Sequence, residues 1–323
     1  MKPDNRILIV KLSSLGDLFH ALPAVHSIRR HLNAKVDWVT QPEYQRLVDC
    51  FDDVDRVILF HRRAAFRGMK PFLHELRAKS YDIVIDLQGL LKSAMIAAAA
   101  RAERTLGPSY HREGARILYS SVAGIRDGER HAVEQALDSA RFLGAPDGEI
   151  KFPVVFPGAD IEGTHPRILF FPCSRWPAKN WPVERFVELG RRLAAERGAS
   201  LYVAGGPEDE SVCSEIAGSI GEAQNLCGTT SLPELGGVIR EMDLVVSVDT
   251  GPMHMAVAVG TPVVAIFGPT RPEKTGPYGT PHRVVRAASG SGMQSWRSAG
   301  SAMIREVNIE PVVEEVFRLL DRA

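Results

Sequence analysis

The sequence predicts an α/β protein built from two Rossmann-like, doubly wound domains facing a central cleft. Three observations carry that prediction. Short apolar runs rich in Val and Ile alternate with amphipathic helical patterns along the chain. The runs are continuously apolar rather than alternating, as parallel strands covered on both faces require. And 323 residues exceed what one hydrophobic core usually serves, so two domains are expected.

Residues 7–11 read as a buried strand, followed by a helix over about 17–31 whose apolar face runs through Leu18, Leu22, Val25 and Ile28 to Leu32. Residues 36–40 and 56–60 are further strands, 82–86 (DIVID) is the clearest, and a helix over about 91–101 follows it. At 152–167 the pattern breaks into FPVVFPGADIEGTHPR, a Pro- and Gly-containing interdomain linker. A second series then begins. Strands are expected at 168–171, 200–204, 243–247 and 263–267, with helices at 182–197, 232–242 and 252–259. The domains are therefore set at 1–155 and 165–310, with a closing helix in 311–323. In such folds ligands sit at the C-terminal ends of strands, which directs attention to the loops there.

Composition excludes several classes. Lys plus Arg and Asp plus Glu both number 39, so the whole chain gives no case for a nucleic-acid partner. The charge is uneven, with +4 over residues 1–155 and −4 over the remainder. The excess gathers in Arg56, Arg62, Arg63, Arg67, Lys70, Arg77 and Lys79, opposed within that stretch by Glu75. Such a run is either a solvated helix face or a patch that meets an anionic ligand or membrane. Cys50, Cys173, Cys213 and Cys227 form no CxxC pair, which argues against zinc ribbons and fits a reducing cytoplasm. The N-terminus lacks a secretory pattern, and the apolar stretch 94–100 is too short to span a bilayer. A cytoplasmic protein, touching a membrane at most from outside, is expected.

Three clusters carry chemistry. After the first strand, Lys11-Leu12-Ser13-Ser14-Leu15-Gly16-Asp17 holds one glycine where a dinucleotide-binding loop needs three. It places two hydroxyls and a carboxylate at a helix N-terminus. Asp17 is there either a dipole-favoured helix residue or a general base. The second cluster is Cys173-Ser174-Arg175 with Ala178-Lys179-Asn180-Trp181-Pro182. Lys179 is an exposed loop lysine or a phosphate partner, and Asn180 a candidate N-cap with Pro182 in the first turn. The third, Asp249-Thr250-Gly251-Pro252-Met253-His254, follows a strand and opens a helix whose backbone N–H groups suit a pyrophosphate. Glu208 and Glu210, after Gly205-Gly206, could accept ribose hydroxyls or start a solvated helix. Phe267-Gly268-Pro269-Thr270 and Asp86-Leu87-Gln88-Gly89-Leu90 also end strands and could line the same region.

Together these segments resemble glycosyltransferase family 9, the lipopolysaccharide heptosyltransferases. The likeness runs through VKLSSLGD (10–17), DLQGLLKS (86–93), HAVEQ (131–135), KNWP (179–182), VSVDTGPMHMA (246–256) and FGPT (267–270). Within the family it is greatest to the enzymes that add the first heptose to a Kdo sugar on lipid A. The resemblance implies a GT-B fold and inverting, metal-independent transfer from ADP-heptose, with no cofactor, to a Kdo-bearing lipid A or core oligosaccharide. By motif, Asp17 is the implied general base, Lys179 the partner of the diphosphate, and Asp249 the holder of sugar hydroxyls. Thr250 and Gly251 would bind phosphate with His254 beside it, while Ser13, Ser14 and Ser174 would bond the phosphates or the acceptor. Arg62, Arg63, Arg67, Lys70 and Arg112 become candidates for the acceptor's carboxylates and phosphates. The alternatives are a family 9 transferase using another sugar or glycan, and a non-catalytic sugar-nucleotide-binding module.

Overall fold

The structure is a computed structural model and describes residues 5–62, 65–287 and 303–322. The chain divides into two compact units, Met1–Val155 and Phe156–Ala323, each built on one six-stranded, wholly parallel sheet.

In the first unit the chain runs β1 (Asn5–Val10), α1 (Leu15–Leu32), β2 (Ala34–Thr40), α2 (Gln45–Val48), β3 (Arg56–Leu59), α3 (Ala65–Leu76) and β4 (Ser80–Asp86). It continues with α4 (Leu91–Ala99), β5 (Arg101–Pro108), β6 (Ser121–Ala123) and α5 (Ala132–Phe142). The strand order is β3-β2-β1-β4-β5-β6. Ile7, Leu8, Ile9 and Val10 are buried on both faces of β1, which is why that strand reads as an unbroken apolar run. Its tip is fixed from both sides, Val10 lying opposite Val39 of β2 and Asp86 of β4.

The second unit comprises β7 (Arg167–Phe171), α6 (Val183–Arg197), β8 (Ser200–Val203), α7 (Glu210–Ile220), β9 (Gln224–Asn225) and α8 (Leu232–Arg240). It continues with β10 (Leu244–Val248), α9 (Gly251–Val259), β11 (Val263–Phe267), α10 (Pro272–Thr275), β12 (Arg283–Arg286) and α11 (Ile309–Leu320). The order β12-β11-β10-β7-β8-β9 repeats the topology of the first unit. Helix α11 packs across β10, β11 and β12 through Val312, Val313, Val316 and Leu319, one apolar face of a strongly amphipathic helix.

In each sheet the chain winds outward one way, returns, and winds outward the other way. The reversal falls between β1 and β4 in the first unit and between β7 and β10 in the second. Diverging connections leave a crevice at the strand C-termini there, the place where open α/β sheets bind ligands.

Several expectations need correction. The helix expected over 91–101 stops at Ala99, because Arg101 opens β5. Strands β5, β6, β9 and β12 and helices α2, α3, α5, α7 and α10 have no counterpart among the expected elements. β5 is masked in sequence by exposed Arg101, Glu103 and Arg104, and β6, β9 and β12 are short strands beside or at a sheet edge.

Candidate active site

In the first unit, Ser14 is the N-cap of α1 and Asp17 its N3 residue, joined in a capping box. The Ser14 backbone N–H and hydroxyl both donate to Oδ2 of Asp17, at 2.9 and 2.7 Å. Loss of water around the carboxyl pushes its pKa up. The charges of Lys11 and His20 and the two Ser14 bonds overcome this and hold it at about 2. Asp17 is therefore both the helix-start residue and an ionised carboxylate throughout the neutral range.

Asp17 lines a cavity of about 150 Å³ with Lys11, His20, Leu87, Tyr110, Arg112 and Gln135. Lys11 is 6% exposed, and its ammonium donates to the Leu87 carbonyl at 2.8 Å. The Tyr110 hydroxyl donates to that same carbonyl at 2.8 Å, and burial followed by the charges of Asp86, Asp17 and Asp138 pushes its pKa up, so it stays a neutral donor. The HAVEQ segment opens α5: His131 is the N-cap, its ring accepting from the Val133 N–H, and Gln135 one turn on reaches the cavity. Two cations and a carboxylate in one hollow suit an anionic, hydroxyl-bearing ligand.

The basic stretch does not form one patch. Arg56 pairs with Asp37 and Glu75, Lys79 pairs with Asp37, and Arg77 donates to the Ala99 carbonyl. These three sit near the starts of β3, β4 and β5, the opposite end of the sheet from Asp17. Asp37, on β2 and 4% exposed, is the counter-charge that the local sequence does not reveal. Arg62 is exposed just past β3 at the ligand end, and Lys70 is exposed on α3. Arg112 meets the cavity directly. Arg63 and the side chain of Arg67 lie outside the described residues.

In the second unit the sites after β7 and β10 meet at the strand reversal. Lys179 Nζ lies 2.7 Å from Asp249 Oδ2, with side-chain exposures of 20% and 9%. Thr250 is the N-cap of α9 without using its side chain as a cap, and Gly251 and Pro252 begin the helix. The first-turn N–H groups, which have no partner within the helix, follow Asp249 directly in the chain. His254 is buried on α9. Ser174 is tied into its own loop, its N–H donating to Asn180 Oδ1 at 2.8 Å and its hydroxyl to the Trp176 carbonyl at 2.9 Å. Asn180 is therefore a loop brace, and Pro182, not Asn180, occupies the N-cap of α6. Cys173 beside it is a thiol pushed up to about 12 by burial and by Asp209, so it stays protonated.

Glu208 and Glu210 are exposed at the end of β8, next to β7 in the sheet. Glu210 Oε1 already accepts from the Ser214 hydroxyl and Asn225 Nδ2, so it is the more engaged of the two carboxylates. Among the described residues no group of three or more His, Cys, Asp or Glu side chains is placed to hold a metal ion. Sequence reasoning missed Lys11, His20, Tyr110 and Gln135. Two of them carried a signal: Lys11 as a charged residue closing a continuous buried strand, and Gln135 as the last residue of the HAVEQ segment.

Residues 69–298 match the family model of Glycosyltransferase family 9 (heptosyltransferase). Lipopolysaccharide heptosyltransferase 1 of Pseudomonas aeruginosa is 30% identical over 298 residues, covering 85% of this chain and 81% of that protein. The protein of the same name in Escherichia coli is 30% identical over 300 residues, covering 87% and 93%. A solved structure, E. coli heptosyltransferase WaaC with ADP, is 28% identical with a TM-score of 0.83, covering 97% of this chain and 99% of that one.

Proposed function

The chain belongs to glycosyltransferase family 9 and is a glycosyltransferase, and from that premise we propose that it transfers heptose from ADP-heptose to a Kdo-bearing lipid A or inner-core acceptor in lipopolysaccharide synthesis, with inversion at the anomeric carbon. The observation that carries the reading is the Asp17 carboxylate, held ionised in the first turn of α1 in a cavity with Lys11 and Arg112. The relatives named as lipopolysaccharide heptosyltransferases, and the relative solved with ADP, support the donor and the acceptor class.

In this mechanism Asp17 accepts the proton of the acceptor hydroxyl as its oxygen attacks the anomeric carbon. The bond between that carbon and the diphosphate breaks on the opposite face, so one displacement inverts the centre. Negative charge grows on the departing ADP, where the Lys179 ammonium and the first-turn N–H groups of α9 meet it. Asp249 exchanges Lys179 for hydroxyls of the transferred sugar. A positioned base contributes about 10²–10⁴ in rate. Lys179 and the helix N-terminus carry the neutralising role that a divalent cation takes elsewhere, so the reaction runs without metal. Arg112 and Arg62 receive the acceptor's carboxylates or phosphates, and the enzyme works at the aqueous face of the inner membrane. Among the described residues no helix is long and apolar enough to cross a membrane.

Thermal shift with ADP-, GDP- and UDP-sugars, followed by transfer assays with each donor that binds, tests the reading. ADP-heptose is expected to raise the melting temperature most and to support turnover in EDTA. A GDP- or UDP-sugar that binds and turns over in its place overturns the choice of donor.

A further inference from the structure

We infer that Gln88 is a positioning residue for Asp17: its side-chain oxygen holds the turn between β1 and α1 from which the carboxylate projects. The inference rests on the reading of Asp17 as the base. β1 ends at Val10, so the N–H groups of Leu12 and Ser13 have left the sheet and need an acceptor elsewhere. Gln88 Oε1 accepts both, at 3.0 and 3.2 Å, across 76 and 75 residues of sequence. On the other side the Leu12 carbonyl accepts from the Gln41 N–H and the Thr40 hydroxyl, both at 3.3 Å. The turn is thus braced from β2 and from β4, and Ser14 and Asp17 follow directly from it.

Gln88 is itself rigidly presented. Its N–H and that of Gly89 donate to Asp86 Oδ1 at 2.8 and 3.1 Å. Asp86, fully buried, takes the Ser93 and Tyr119 hydroxyls on Oδ2 at 2.7 and 2.6 Å. Gly89 adopts φ +73, and a Cβ there would lie 2.9 Å from the Pro108 ring, so the sharp turn requires glycine. The preceding residue, Leu87, offers its carbonyl to Lys11 and Tyr110. The DLQG segment therefore orders the cavity wall with its backbone and the Asp17 turn with one side chain. Misplacing a base is costly: a shift of 1 Å can cost about 100-fold.

The test uses the full-length enzyme with ADP-heptose and a Kdo-bearing acceptor. Gln88→Leu, of similar size but without the acceptor oxygen, is expected to lower kcat about 10- to 100-fold. KM for ADP-heptose and Kd for ADP should change less than about two-fold, because those contacts belong to the other unit. Gln88→Glu, which returns an oxygen to the two N–H groups, should recover at least about ten-fold of the loss, a rescue that general destabilisation would not give. In an Asp17→Asn background, Gln88→Leu should add less than about two-fold, since the group it positions is gone. If Gln88→Leu does not fold, Gln88→Asn, whose shorter chain withdraws the oxygen, carries the same expectation. Wild-type kcat in the Gln88 variant, or an equal loss in the Asp17→Asn background, overturns the inference alone. An active Asp17→Asn enzyme overturns the base reading and the inference with it.

Discussion

The Lys179 ammonium lies 2.7 Å from the Asp249 carboxylate across 70 residues of sequence, because the strands they follow, β7 and β10, are neighbours at the point where the sheet reverses. In the proposed transfer each side chain is the other's substitute ligand: the donor diphosphate draws Lys179 away, and sugar hydroxyls replace it on Asp249. Lys179→Ala should therefore raise Kd for ADP about 10- to 100-fold, the loss of a charge-assisted hydrogen bond, and lower the melting temperature by leaving Asp249 without its cation. Asp249→Asn should leave ADP affinity equal or tighter, since Lys179 is then released. Isothermal titration reads both, and ADP affinity unchanged in Lys179→Ala would contradict the exchange.

Asp17 has its pKa held near 2, below its ordinary 3.8, so it is ionised at every pH where the protein is handled. The sign follows from the depression: the charged state and its bonds are intact above the ordinary value and lost as pH falls through about 2. The kcat/KM profile should consequently show no acid limb from Asp17 above about pH 4. An acid limb between pH 5 and 7 would mean that another base, or a differently held Asp17, performs the proton transfer.

How much of this was legible in the sequence depended on whether the deciding contact was local. DIVID announced β4 because both faces of that strand are buried. Asp17, Lys179 and Asp249 stood out because strand ends and helix starts bracket them. Parallel pairing across the reversal is not local. Nothing near Gln88 indicates that it reaches Leu12 and Ser13, and nothing near Arg56 or Lys79 indicates that Asp37 on β2 claims them. The basic stretch reads locally as a solvated helix face or a patch, whereas its two ends serve structural contacts at the opposite end of the sheet from Asp17. β5 was lost for a different reason, since exposed charges interrupt its apolar pattern.

Arg112 reaches the cavity while its backbone N–H is fixed to the Gly89 carbonyl at 2.8 Å, so its side chain is anchored at the root and aimed. Arg112→Ala should raise the acceptor KM about ten-fold or more, the cost of one ionic hydrogen bond, with KM for ADP-heptose unchanged. Steady-state kinetics with each substrate varied in turn separates the two. An effect confined to the donor would reassign the residue.

Arg62 and Lys70 are exposed, whereas Arg56, Arg77 and Lys79 are tied into structural contacts. A surface that meets anionic lipid through them should give sedimentation with phosphatidylglycerol vesicles that weakens with salt, at about 1 kcal/mol per basic residue near the surface. Arg62→Glu with Lys70→Glu should reduce the bound fraction further. Equal partitioning at low and high salt would remove the electrostatic contact.

The most direct measurement is transfer from ADP-heptose to a delipidated Kdo-bearing acceptor in EDTA, by the native enzyme and by Asp17→Asn, with the anomeric configuration of the product read by NMR. The native enzyme should turn over and invert the centre. Asp17→Asn should bind ADP normally and lose about 10²–10⁴ in kcat. Turnover by Asp17→Asn at the native rate, or a product with retained configuration, would contradict heptose transfer through an Asp17 base.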